Sequence, residues 1–308
     1  MSQCNCNDLF GNLRQPGCNS THGIAQKVWQ VSIKDGDGNL NRIDLNAVPD
    51  ATALTALFNE PDATKRYFPS PLFTDFNQTR AEDVTDEAED GTIDFIREGI
   101  KSVEAFIWEQ EGANPQMVGQ MKKSRCVDGG VFLVDDCNNL IGRDIGDGFL
   151  YPIPYNRGSW SPKWVEPNQT ANGKVQLNYN FNKLFKDEEI GFISYDSSID
   201  LLSYEGLLDV VGSVVTPPAV TTTAAVIKAE TIYGPANNKK GIDVFTVSDV
   251  KLLNETTGLP VVVSNFDLQS GSDRQYDLVY AAQTPADVLT LTFTKEGFDR
   301  DTVTINIP

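Results

Sequence analysis

The segment KVQLNYNFN, residues 174–182, is the strongest secondary-structure signal in the chain. Val175, Leu177, Tyr179 and Phe181 alternate with Gln176, Asn178, Asn180 and Asn182. Successive strand side chains point to opposite faces, so one face must pack on a core while the other stays polar, uncharged and wet. VLTLTFT repeats the pattern, with Leu289, Leu291 and Phe293 set against Thr290, Thr292 and Thr294. Near the start, Trp29, Val31 and Ile33 alternate with Gln30, Ser32 and Lys34. A period of two belongs to strands and not to helices, so the chain is expected to be mainly β.

Between these strands the first two-thirds of the chain offers further elements. QKVWQVSIKDGDGNLNRIDL reads as a hairpin that turns at Asp35–Asn39 and returns through LNRIDL. Residues 45–90 hold one short helix near Thr52–Phe58, and the six carboxylates between Glu82 and Asp90 read as a solvated loop. TIDFI and SVEAFIW follow as strands. NPQMVGQMKKS is a short helix, with Asn114 as its cap, Pro115 in the first turn and Lys122 and Lys123 at the negative end of its dipole. GGVFLVDDCNNLIGRD is a hairpin turning at Asp135–Asn139, and EEIGFISYD is the expected partner of strand 174–182.

GSVVTPPAVTTTAA, Gly212–Ala225, reads as a semi-extended linker because of its two prolines and its Thr/Ser content. The sequence therefore divides into residues 1–212, a linker at 213–223, and residues 224–308. All four Trp, all five Cys and the single His precede the linker. Of the net charge of −18, the first 217 residues carry −14 and the remainder −4. Six or seven short strands in the last segment predict a small β-sandwich.

The acidic balance argues against a surface that grips nucleic-acid phosphates or anionic membranes, since both rely on Lys and Arg. No apolar run of about 18 residues occurs, so no membrane span is expected. The opening MSQCNCNDLFGNL lacks the basic and apolar parts of a secretory signal, which predicts folding in a reducing cytosol. Cys4, Cys6, Cys18 and His22 form the one set with the chemistry of a zinc site, although their spacing fits none of the common frameworks. DGDGNLNRIDLN has Leu40 and Asn46 where a calcium loop needs Gly and Glu, so it reads as a turn. No nucleophile elbow or phosphate-binding loop is present, and His22 is the only imidazole; no enzyme and no cofactor are expected. Cys126 and Cys137 read as small buried residues. FLYPIPYNRGSWSPKWVEP, an aromatic segment between prolines, is either a core-covering loop or a subunit contact through Tyr151, Tyr155, Arg157, Trp160 and Trp164.

Residues 91–195 run in the order strands TIDFI and SVEAFIW, helix NPQMVGQMKKS, hairpin VFLVDDCNNLIGRD, arm FLYPIPYNRGSW and strand KVQLNYNFN. This layout resembles the tail-tube proteins of tailed bacteriophages, and CNCNDLFGNLRQPGC is similar to openings of phage virion proteins. VLTLTFTKEGFDRDTVTINIP resembles the end of bacterial and phage immunoglobulin-like domains. The resemblance implies an N-terminal β-sandwich or barrel flanked by a short helix, followed by an immunoglobulin-like sandwich. It further implies a virion protein whose copies form rings, hexameric in such a family, that stack into a tube alongside other tail proteins. DNA passes through without specific binding, with Asn178, Asn180 and Asn182 as lumen candidates. The C-terminal sandwich would sit outside, free to touch host-surface glycans. The alternative is a capsid decoration, baseplate or adhesin-type binding module that forms no tube.

Overall fold

The computed structural model describes residues 23–308 except 88, 90–92, 110–111, 220–222 and 233–238. The protein is mainly β and divides into two compact units, one ending at Gly206 and one starting at Leu207.

The N-terminal unit contains strands β1 (Ala25–Ser32), β2 (Ile43–Asp44), β3 (Phe68–Pro69), β4 (Asp75–Arg80), β5 (Val84–Glu87), β6 (Ile93–Arg97) and β7 (Lys101–Trp108). It continues with β8 (Gly129–Asp135), β9 (Asn139–Asp144), β10 (Phe149–Tyr151), β11 (Ile153–Pro154), β12 (Ser161–Val165), β13 (Lys174–Asn180) and β14 (Ile190–Ser194). Helices α1 (Ala51–Phe58) and α2 (Pro115–Lys123) interrupt them.

A central sheet runs β2-β10-β9-β8-β1-β3, with β11 also on β8 and β14 also on β9. Strand β8 is buried along its whole length. Val131 and Leu133 enter one core with Val28, Ala105 and Leu177, while Phe132 and Val134 enter a second with Trp29, Leu54 and Leu201. A strand covered on both faces carries apolar side chains facing both ways, which is why GGVFLV shows no alternation, while buried Asp135 at its end is satisfied by hydrogen bonds. The second sheet, β12-β13-β7-β4, covers the first core. Helix α1 and the chain around Ile193–Tyr204 cover the second.

Both helices form where their caps require. Asp50 accepts from the Ala53 N–H at 2.8 Å to start α1, whose Leu54 and Phe58, four residues apart, lie buried on one face. Asn114 accepts from the Met117 N–H at 2.9 Å to start α2, and Pro115 occupies the first turn.

Pairing differs from the sequence expectation in two places. The turn at Asp35–Asn39 is present, with Asp35 accepting from the Asp37 and Asn39 N–H groups and Gly38 at φ +88°. The returning segment, however, does not pair along β1: β2 pairs with β10, and β1 pairs with β8. Because β1 buries Val28 on one face and Trp29 on the other, it needs a partner that is apolar on both. LNRIDL supplies apolar groups only at Leu40, Ile43 and Leu45. Likewise β14 pairs with β9 and not with β13, whose two sides are taken by β7 and β12.

The C-terminal unit contains β15 (Val210–Thr216), β16 (Ala224–Thr231), β17 (Val250–Asn254), β18 (Leu259–Val261), β19 (Val263–Leu268), β20 (Gln275–Tyr280), β21 (Val288–Phe293) and β22 (Thr302–Asn306). Its two sheets run β15-β16-β20-β19 and β18-β17-β21-β22, all antiparallel. In immunoglobulin letters these are A-B-E-D and C′-C-F-G, so the unit has the immunoglobulin-like strand order. Phe266 stacks on Tyr276 at 4.6 Å, between Ile227, Leu291 and Phe293.

This topology corrects the expected linker at 213–223. Val210–Thr216 is the first strand of the sandwich, and Gly212 lies over Phe293 and Val303 while donating its N–H to Asp301 Oδ2 at 2.8 Å. Pro217 and Pro218 come after the last paired residue of an edge strand, where a missing N–H costs no ladder bond. The boundary accordingly falls at Gly206–Leu207 and not at 212.

Candidate functional site

The aromatic segment expected to reach a neighbouring subunit is mostly core. Trp160 is 2% exposed, Tyr155 4% and Tyr151 8%. The Trp160 Nε1–H donates to the Met121 carbonyl at 2.9 Å, and its ring packs between Tyr155 and Tyr179 at 5.0 and 5.2 Å. The Tyr155 hydroxyl accepts from Gln30 Nε2 at 2.7 Å. Burial pushes both the Tyr155 and the Tyr179 hydroxyls up from the ordinary tyrosine range. Tyr151 donates to Asp147 at 2.6 Å, which holds that carboxyl below its usual value. Of the five expected contact residues only Arg157 is exposed, and Trp164 is half-buried against Gly173 and the core. Tyr151, Tyr155 and Trp160 are therefore buried and not subunit contacts: Tyr155 and Trp160 fold back onto Tyr179 of β13, and Tyr151 is held on β10 beside β9.

The expected lumen residues fare differently. Asn178 and Asn180 are half-buried on the outer face of the second sheet, and Asn182 is half-buried just beyond the end of β13. Register places Asn178 beside Glu104 and Ser161, and Asn180 beside Ser102. Asn77 and Thr79 on β4 lie across from Glu104 and Ser102. The middle of this face is thus Asn, Ser and Thr around a single carboxylate, Glu104, which accepts a hydrogen bond from Gln176.

The same sheet ends in a hairpin where the dense acidic run predicts a loop. Strand β4 runs on into β5, and β6 runs back into β7, joined by the Ala81 N–H to Ile100 carbonyl bond at 3.0 Å. Among the described residues, strands β5 and β6 pair with each other alone. Half of the acidic run is therefore a strand in a hairpin, with Glu82, Asp86, Glu89 and Asp94 exposed. The signal was present in the alternation of Val84 with Thr85 and of Ile93 with Asp94, but dense like charges masked it. At the root of the hairpin Arg80 meets Asp83, Glu98 and Asp187, and Asp187 also pairs with buried Lys101. The Lys101 hydrogen bond holds the Asp187 carboxyl below its usual value.

The described residues offer little to a metal or a reaction. The proposed zinc set of Cys4, Cys6, Cys18 and His22 lies outside them. Asp135, Asp136 and Cys137 cluster, but Asp135 already accepts from the N–H groups of Gly23, Cys137 and Asn139 and from the Asn139 amide, and Cys137 is disulfide-bonded. Cys126, expected to be buried, is an exposed free thiol. At the 35–39 turn Lys65 Nζ sits 3.0 Å from Asp37, 3.8 Å from Asp35 and 3.9 Å from Asp62, so an ammonium already occupies the place a cation would take. A cleft of about 250 Å³ between the sheets is lined by Leu133, Ile141, Ile153, Phe181 and Phe185, with Gln78 as its one polar side chain. Nothing there can act as acid, base or nucleophile.

Lys27 is buried and donates to the Leu202 carbonyl at 2.9 Å and to that of Tyr204. It thereby ties the last segment of the N-terminal unit to β1. Desolvation lowers its pKa from the ordinary lysine value. No helix of the described residues is long and apolar enough to cross a membrane. Compared with known proteins, the chain matches no family model and no curated sequence.

Proposed function

We propose that the chain is a structural virion subunit whose copies assemble into stacked rings, forming a tail tube through which DNA passes. The observation that carries this reading is the second sheet of the N-terminal unit. It closes a core on one side, keeps a polar face on the other, and ends at β4 and β12, with no further strand among the described residues paired to either. Open edges invite pairing with another chain, and soluble proteins normally cover or blunt them. A sheet that is wet on one face and open at both edges is suited to joining equivalent sheets around a channel. Its Asn178, Asn180, Ser102, Asn77 and Thr79 hydrate a wall without presenting a row of cations to phosphate. The net charge of −18 repels the passing polyanion.

Ring size, neighbouring tail proteins and a place in the virion come with the resemblance of layout. The reading assigns the chain no catalytic step and no cofactor. Negative-stain microscopy of the purified full chain at several salt concentrations tests it. Rings or tubes with an axial channel are expected, whereas monodisperse monomers at high concentration in every salt would contradict it.

A further inference from the structure

We infer that the acidic hairpin β5–β6 of one copy seats on the lysine-rich opposite edge of the same sheet in the next copy, a contact that deepens the self-assembly reading. The two surfaces lie at opposite ends of the order β12-β13-β7-β4. The arm continues β4 and β7, and β12 stands two strand spacings beyond β7, roughly 10 Å, so the arm and the lysine edge occupy separate places on one copy.

The arm calls for a partner on physical grounds. A two-stranded ribbon standing alone is marginal in water. Here it is also frustrated: Asp86 lies directly opposite Asp94, and like charges across a ladder destabilise it. Solvent reaches Thr85, Asp86, Asp94 and Ile96, and Ile96 is 59% exposed. Approaching cations would relieve the repulsion, and covering Ile96 would add apolar burial.

The far edge supplies those cations. Lys122 and Lys123 end α2, Arg125 follows in the next turn, and Lys163 stands on β12; all four are exposed. Trp160 Nε1 donates to Met121, and Arg125 Nε donates to the Trp160 carbonyl at 3.1 Å, so the helix end and the strand start form one rigid mount. Among the described residues no carboxylate forms an ion pair with Lys122, Lys123 or Lys163, although the chain has 43 acidic residues. Unpaired cations grouped at one sheet edge and unpaired carboxylates beyond the other make a head-to-tail contact, which generates rings when the rotation closes.

A zero-length carbodiimide tests the contact directly, because it joins a carboxylate to a lysine only when they touch. Light and heavy-isotope copies of the full chain, mixed at low salt, should give cross-isotope amide links between residues 82–98 and Lys122, Lys123 or Lys163. Two variants add a second readout: Asp86→Lys with Asp94→Lys, and Lys122→Glu with Lys123→Glu and Lys163→Glu. Each alone should associate at least about tenfold more weakly than the natural chain, with unchanged thermal melting. Mixed in equal amounts they should recover association, because each variant's arm then meets a complementary patch. Absence of the cross-isotope links, or unchanged association of both variants, overturns the contact. Rings that persist in both variants leave the tube reading standing without this contact. Links and complementation in particles that never close into rings establish the contact and count against the tube.

Discussion

The two units of this chain solve the same problem, covering β-sheet faces, to opposite ends. In the C-terminal unit two four-stranded sheets face each other, and their inner residues, such as Ile227, Leu291 and Phe293, form a single core. Its edges are β15, β19, β18 and β22, of which β18 is only three residues long. In the N-terminal unit one sheet is buried on both faces, while the second keeps a wet face and throws out an acidic ribbon. The first arrangement closes its one core within one copy, leaving edges but, among the described residues, no outlying ribbon. The second adds a projecting acidic ribbon and a separate group of exposed lysines, and that difference is what motivates the assembly proposal.

Four substitutions would break or sharpen the contrast. The largest effect is expected from Trp160→Ala. If Trp160 served a subunit contact, the monomer would tolerate its loss; as a buried ring it should cost the N-terminal unit about 3–5 kcal/mol in denaturant unfolding and leave the C-terminal transition in place. Next comes Gly212→Val. A Cβ at that position would lie 2.2 Å from Val303 Cγ2 and 2.9 Å from Phe293 Cε2. A linker glycine would accept valine, whereas a strand glycine over a packed core should lose about 1–3 kcal/mol, visible in the C-terminal transition alone.

A smaller effect belongs to Glu189, which Arg143 grips through both of its oxygens at 2.8 and 3.1 Å. That grip holds the Glu189 carboxyl below its ordinary value. A carboxyl depressed in the folded state stabilises fully above its unfolded pKa, near 4.3, and loses the contribution as pH falls through the folded value. Glu189→Gln should therefore lower N-terminal stability by about 0.5–1 kcal/mol at neutral pH, with the deficit vanishing in acid. Smallest is Tyr179→Phe. The Tyr179 hydroxyl is fully buried and has no hydrogen-bond partner among the described residues, so removing it should leave stability unchanged or raise it by about 0.5–1 kcal/mol.

The same contrast explains what could be read from sequence. Where a strand has one face in a core and one in water, period two is written openly, and β13 and β21 were legible to within two residues of their ends. Caps are equally local: Asn114 and Pro115 announced α2. Legibility fails where the deciding partner is distant. Nothing local in β1 says that it pairs with β8 about a hundred residues later, and nothing in β14 names β9. The first strand of the sandwich, β15, was hidden by Pro217 and Pro218, which lie just past its end. The candidate site followed the same rule. The wet face with Asn178 and Asn180 was visible as alternation, whereas the aromatic segment around Trp160 was not assignable. Large rings look alike in a core and at an interface until the surrounding packing is known.

The central claim is that assembly resides in the N-terminal unit and not in the sandwich. Sedimentation velocity on residues 1–206 and 207–308, produced separately and run over a range of concentration and salt, tests it most directly. The account predicts that residues 1–206 form large species that grow with concentration and dissociate as salt rises, while residues 207–308 remain a single monomer. Two monomeric units under all conditions, or association confined to residues 207–308, would contradict it.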